Sequence, residues 1–333
     1  MLAVQRPAAG LRSAVKRPSL VIVTPALADA NNGNWQTAHR WAGLLATTHR
    51  VTLTDLWQAG RQDLMIALHA RRSAPSMAAW REAHPQRPLL LVLTGTDLYR
   101  DIEQDAAAQA SLNRADTLVV LNSLGPQQLP PQHRAKCQVV LQSCSGRRPL
   151  PKTGRHMRAL MVGHLRDEKD PLTYLRAAQR LDGRTDIRLD HIGAALDPAL
   201  GAAAQALAAR QPHYRWLGAL PHAAVRRQIQ QAHVLVHASR MEGGAHVVIE
   251  ALRSGTPVIA SQIDGNLGLL GSDYTGTFAV GDDAALAALL QRARDDADML
   301  PDLKRQGDLR APLFTPEAEA ATLHRIVAGL LEP

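Results

Sequence analysis

The chain has 333 residues, 46% of them hydrophobic but only 3% aromatic, and a formal charge of +8. That is enough for about two domains of roughly 150 residues with cores built from Ala, Leu and Val, and it excludes a disordered polymer. Residues 1–150 carry 17 Lys+Arg against 9 Asp+Glu while residues 151–333 carry 21 of each, so the whole excess sits in the first half. An excess of this kind points to an anionic partner: a phosphorylated small molecule, an acidic membrane surface or nucleic acid. Nucleic acid is disfavoured, because no long basic stripe interleaved with aromatics and no zinc or RNA-binding signature is present. No apolar run approaches ~18 residues, which argues against a membrane span. Residues 1–17 are basic without an apolar stretch of signal-peptide length and read as a mobile tail. Cys137 and Cys144 fit no metal spacing and no disulfide framework, so a reducing cytoplasm is the expected compartment.

In chain order, "SLVIVTPAL" (19–27) reads as a buried strand, "NNGN" (31–34) as a turn, and 35–49 as a helix with Ala38, Trp41, Leu44 and Leu45 on one face. Strands follow at 50–57, 63–70, 88–97, 116–123 and 137–143, with a proline-stopped helix at 76–85. "CSGRRPLPKTGRH" (144–156) lacks periodicity and reads as an interdomain linker. A second series has strands at 157–165, 187–195, 214–220, 232–239 and 256–263, and helices at 171–181, 283–299 and 315–332. Strands alternating with helices predict an α/β fold of two parallel sheets, each covered on both faces. Ligands of such sheets bind at the carboxyl ends of the strands, so two facing domains enclose a cleft.

The chemistry gathers at those strand ends. "SRMEGGAHVVIEAL" (239–252) places Glu242 after a strand, Gly243 and Gly244 at the entrance of a helix, and Glu250 inside its apolar part. A glycine-entered helix terminus is an anion site, and a buried carboxylate needs a partner such as a ribose diol or a nearby Arg. Glu242 either accepts from sugar hydroxyls or is solvated. In "VGHLRDEKDP" (162–171), Arg166 and Lys169 precede a proline-started helix. They form a diphosphate clamp, or Arg166 pairs with Asp167 or Glu168 on the surface. Gly33 offers a close backbone approach to a phosphate, but the sequence is not GxGxxG, which disfavours a nicotinamide dinucleotide. "ALHARRS" and "LTGTD" put His69, Arg71, Arg72, Thr94, Gly95, Thr96 and Asp97 at two further strand ends. The arginines either meet an anion or face solvent, and His69 is structural or catalytic.

Together these stretches resemble the retaining GT-B glycosyltransferases with an E-x7-E motif. "NGN", "IALHARRS", "LTGTDLYRD" and "DGNLGLLG" add a closer resemblance to the selenosugar synthases of selenoneine biosynthesis. The resemblance implies two Rossmann-like domains facing across a cleft: an acceptor domain over 18–145, a linker over 146–156, a UDP-sugar domain over 157–310, and a C-terminal helix within 311–333 crossing back to the first domain. It implies a transferase that joins selenium from selenophosphate to the anomeric carbon of UDP-N-acetylglucosamine or UDP-glucose. Arg166, Lys169, Glu242 and His69 become catalytic. Gly33, Gly163, Arg166, Lys169, Gly193, Leu217, Glu242, Gly243, Gly244, Ala245 and Glu250 become the donor site, with Glu250 on the ribose. Asn34, His69, Arg71, Arg72, Thr94, Gly95, Thr96 and Asp97 become the acceptor site. His164 stands where relatives carry arginine, and Thr94-Gly95 where many carry His-Gly. Selenophosphate, already an anion, requires cations more than a general base. No metal or other cofactor is expected, and no stable membrane contact. A conventional hexosyltransferase with a lipid or saccharide acceptor is the alternative within the same fold.

Overall fold

The computed structural model describes residues 17–27 and 33–332. The expected tail lies outside the described residues save for Arg17, and the turn cluster "NNGN" is described only from Gly33 onward. Six strands build the first sheet: β1 (Ser19–Val23), β2 (Arg50–Thr54), β3 (Leu64–Leu68), β4 (Leu89–Leu93), β5 (Thr117–Val120) and β6 (Cys137–Val139). Their order is β2-β1-β3-β4-β5-β6, all parallel. The second sheet holds β7 (Met157–Val162), β8 (Ile187–Ile192), β9 (Tyr214–Trp216), β10 (Val234–His237), β11 (Val258–Ser261) and β12 (Thr277–Phe278), ordered β12-β11-β10-β7-β8-β9 and again parallel. This is the GT-B architecture of two Rossmann-like domains.

The central strands explain the arrangement. LMIAL of β3 and LLLVL of β4 are buried at every position, as parallel sheets covered on both faces require. Sequence patterns run past the strand ends by two to four residues, because "LHA", "TGTD" and "HAS" lead into the loops that leave the sheet. The two-residue β12 and the helices Ala106–Arg114, Pro198–Arg210, His222–Gln231, Asp264–Leu270 and Met299–Arg310 are additional to the elements named from sequence. Two of these helices carried a readable start signal: Asp105 and Asp197 cap them through side-chain oxygens. In each sheet the order reverses once, between β1 and β3 and between β7 and β10. The loops that carry His69, Lys169 and Glu242 leave from these reversals, where ligands of such sheets bind.

Residues 140–156 contain no helix or strand. They lie along the second domain, with Arg147 N donating to Arg253 O at 2.9 Å and Leu150 N to Gln230 O at 3.3 Å. The final helix, Pro316–Leu331, sends Leu323, Ile326 and Val327 into the core of the first sheet. Glu319 on that helix is fully buried and accepts from Arg40 Nε (2.9 Å), Trp41 Nε1 (2.7 Å), and Ser143 N (2.9 Å) and Oγ (2.5 Å). One carboxylate thus ties the last helix to the helix Gly33–Leu45 and to the chain leaving the first domain. Removing it strands a buried guanidinium and an indole N–H. Glu319→Ala is expected to lose about 3 kcal/mol of stability; an unchanged urea midpoint would contradict this role.

Candidate active site

Glu242 is the hub of the second domain's contribution. Its Oε1 is ion-paired with Lys169 Nζ, accepts from Ser239 Oγ at 2.9 Å, and lies 3.5 Å from His237 Nε2. His237 is the last residue of β10 and is buried. Burial opposes ionisation of Glu242, but Lys169 and His237 outweigh it and hold the carboxyl well below the usual carboxylate range. Lys169 reaches this point from the single turn Asp167–Lys169. Asp170 follows in a left-handed conformation, accepting from Thr173 Oγ1 at 2.7 Å and from Arg240 Nη2 at 3.3 Å. The two residues read from sequence as diphosphate clamp and sugar grip are therefore one ion pair.

The glycines after Glu242 have a different reason from the one expected. A Cβ on Gly243 would lie 2.3 Å from Thr94 O, and one on Gly244 2.9 Å from Leu121 Cβ. Their smallness admits the first domain, whose Thr94-Gly95 loop packs on Gly243 and whose Leu121 packs on Gly244. Ala245 is buried beside the helix His246–Leu252. Gly95 has a φ of +150° and faces Gly243 N. Asn122 closes the same contact, with Nδ2 donating to Gly243 O at 2.7 Å.

Glu250 is buried on that helix and does have partners. His222 Nε2 lies 2.6 Å away, His246 Nδ1 3.5 Å and Arg226 Nη1 3.8 Å. Burial disfavours its charge, yet His222 and His246 bring its carboxyl down to about 2. Its nearest protein partners are thus mainly histidines, and His222 is largely exposed.

Around the expected diphosphate loop, Gly193 is required by space. Its φ is +157° and a Cβ would lie 1.9 Å from Gly163 O. Trp216 Nε1 donates to Gly193 O at 2.9 Å, and Leu217 N to His191 O at 2.8 Å. His164 Nδ1 accepts from Ala194 N at 3.0 Å; burial, then Arg166 and Lys169, lower its pKa, so it stands there neutral. Arg166 is half exposed, with its nearest carboxylate, Glu168, at 3.8 Å. Gly33 opens the helix Gly33–Leu45 from an exposed position where an added Cβ meets nothing, and Asn34 beside it is half-buried.

In the first domain the acceptor residues divide. Asp97 turns inward: fully buried, it accepts from Thr94 N and Gly95 N (both 2.9 Å) and from Ala70 N (3.0 Å), so it shapes the loop and is not free for a ligand. His69 holds a φ of +74°, a strained value for a side chain of its size, and its Nε2 lies 3.2 Å from Thr96 Oγ1. Burial lowers its pKa. Arg71 donates to Asp101 at 2.9 Å, and Arg72 is exposed. Sequence reasoning missed Asp101, which also receives Arg100 at 3.2 Å, as well as Tyr99, Asn122, His222, Arg240 and Asp264. "LTGTDLYRD" held the first two but offered no spacing that separates them from surface residues. Among the described residues no group of three or more His, Cys, Asp or Glu is arranged to hold a metal ion.

Residues 147–310 match the family of group 1 glycosyl transferases. No curated protein sequence matches the chain. The fold of the chain is similar to that of sucrose-phosphate synthase from Thermosynechococcus elongatus (TM-score 0.74, 19% identity, covering 95% of this chain and 99% of that one). It is also similar to HepE from Anabaena, solved with UDP and glucose (0.75, 14%, 94% and 100%). The pneumococcal O-GlcNAc transferase GtfA, solved with UDP and GlcNAc, is a third (0.64, 16%, 90% and 61%). Among the described residues no helix is long and apolar enough to cross a membrane.

Glu250 yields a test within the second domain. Its carboxyl sits at about 2 when folded against an ordinary 4.5, so its stabilising charge is complete above ~pH 5 and is lost as pH falls toward ~2. Glu250→Gln is expected to flatten the decline of the urea midpoint across that window; a decline as steep as in the unaltered protein would contradict it.

Proposed function

We propose that the chain transfers N-acetylglucosamine or glucose from a UDP-sugar to selenophosphate, releasing UDP and forming a carbon–selenium bond. The observation that carries the donor half is Glu242, held ionised by Lys169 at the chain reversal of the second sheet. A fixed carboxylate accepts from sugar hydroxyls, and a lysine beside it is placed to take up negative charge on a departing diphosphate. Glu250 would meet the ribose by exchanging His222 for the diol. HepE and GtfA, solved with UDP and a sugar, support a UDP-linked donor.

The acceptor half rests on the resemblance to selenosugar synthases and on the cations of the first domain. Arg71 and Arg100 share Asp101 as their counter-charge on one side of the cleft, and the exposed Arg72 follows Arg71. Thr94-Gly95 supplies no imidazole, which suits a nucleophile that is already ionised. In the reaction a selenium lone pair forms the bond to the anomeric carbon, and the C–O bond to UDP breaks with its electron pair going to the diphosphate. Water then attacks phosphorus, the Se–P electrons return to selenium, and phosphate leaves.

A conventional hexosyltransferase remains the second reading, favoured by one observation: His69 is kept neutral beside Thr96, as a base for a hydroxyl acceptor must be. One assay separates them. The protein with UDP-N-acetylglucosamine is expected to release UDP only when selenophosphate is added, with a selenium-bearing sugar detected by mass. Release without dependence on selenophosphate would overturn the proposal. Lys169→Ala is expected to lower kcat by about 100-fold or more.

A further inference from the structure

A cavity of about 270 Å³ lies beside Glu242 and is walled by Tyr99, Arg240, Met241, Ile263 and Asp264. Tyr99 alone among these comes from the first domain. Its orientation can be worked out from its neighbour. Asn122 Oδ1 accepts from Leu124 N (3.0 Å) and Gly125 N (2.8 Å), which fixes the amide the right way round. Asn122 Nδ2 is therefore the end that faces Gly243 O at 2.7 Å and Tyr99 Oη at 2.9 Å. An amide nitrogen only donates. The phenol oxygen is thus an acceptor toward Asn122, which leaves its own proton free for another partner, and the Tyr99 side chain lines the cavity.

That proton stays in place. Burial first, and the Asp264 and Glu242 charges after it, push the Tyr99 hydroxyl up to about 12 despite the bond from Asn122. The cavity therefore presents one phenol donor and one guanidinium together with two carboxylates, Glu242 and Asp264. Asp264 is itself steadied by Gln128 of the first domain at 2.6 Å. Two carboxylates repel a phosphate-like anion, whereas a ring of neutral hydroxyls can donate to both and accept from the phenol.

We propose that this cavity takes the hydroxyl-bearing ring of the transferred sugar and that Tyr99 is a specificity residue, donating its proton to one sugar oxygen from the first domain. The inference rests on the UDP-sugar reading above and extends it: the sugar is held from both domains, so recognition of the transferred group requires the closed contact that Asn122 makes with Gly243.

Calorimetric titration of UDP and of UDP-N-acetylglucosamine into the unaltered protein and Tyr99→Phe tests it. Tyr99→Phe is expected to bind UDP within about twofold of normal and UDP-N-acetylglucosamine about tenfold more weakly. Unmoved UDP-sugar affinity, or equal losses for both ligands, would overturn the inference alone. An unaltered protein that binds neither ligand would overturn the UDP-sugar reading and this inference with it. Should Tyr99→Phe fail to fold, Asp264→Asn probes the opposite wall with the same split expected and the same outcomes against it.

Discussion

The site depends on a contact far from its chemistry: the buried carboxylate of Glu319. A charge removed from water is tolerable only with close donors around it, and those donors come from two distant parts of the chain. Arg40 and Trp41 lie on the first helix, and Ser143 lies where the chain leaves the first sheet. Next to Ser143, the Gln142 amide meets its neighbours best with its oxygen toward Arg40 Nη2 (3.1 Å) and Thr37 Oγ1 (2.7 Å) and its nitrogen toward Gly244 O (3.2 Å). A continuous polar path therefore runs from the last helix to the glycine turn after Glu242. The return of the C-terminal helix thereby fixes how the second domain's glycine turn meets the first domain.

The glycine turn is where this constraint becomes chemistry. Two domains that approach within van der Waals distance of each other's backbone need residues without side chains at the contact. Gly95 and Gly243 meet that need from opposite sides, and Asn122 adds a bond that forms only when the two are together. Glu242 is one residue from this contact and Tyr99 shares Asn122 with it. The contact between the domains and the Tyr99 wall of the cavity beside Glu242 therefore share one residue, Asn122. A substrate held from both sides stabilises the closed form in proportion to its contacts there.

What was legible in the sequence follows from range. The parallel sheets showed in runs such as LMIAL and LLLVL, because full burial leaves no polar alternation to read. The E-x7-E stretch located both acids of the second domain, since strand, turn, helix and acid all lie within fourteen residues. Partners were not legible. Lys169 and Glu242 are 73 residues apart, and His222 and Glu250 are 28 apart; their meeting is a product of strand order. The same limit explains Asp97. Its acid at a strand end read as a ligand group, whereas three backbone amides consume it. Gly243 and Gly244 were noticed for close approach, but the first-domain backbone and Leu121 that approach them were not legible, because a small residue permits close approach without saying what approaches.

The distribution of charge in the cleft completes the account. The excess of +8 in the first half is not spread evenly over the site. Arg71 and Arg100 converge on Asp101, with His69 Nε2 3.9 Å from the same carboxylate, so one acid organises several donors without cancelling them. On the second domain, Arg166 is left half exposed while Lys169 is committed to Glu242. The cavity beside Tyr99 is lined by the carboxylates Glu242 and Asp264 instead. An anion entering the cleft is drawn to the arginines and away from Glu242 and Asp264, and a neutral polyol has the opposite preference. Charge placement alone would thus send the two chemical classes to different ends of one cleft. The strained backbone of His69 stands on the anionic side, held by its bonds to Val92 O and from Ser73 N. Strain of that kind persists only where surrounding structure enforces it, and here it aims the imidazole at Thr96 and the arginine cluster rather than into the sheet.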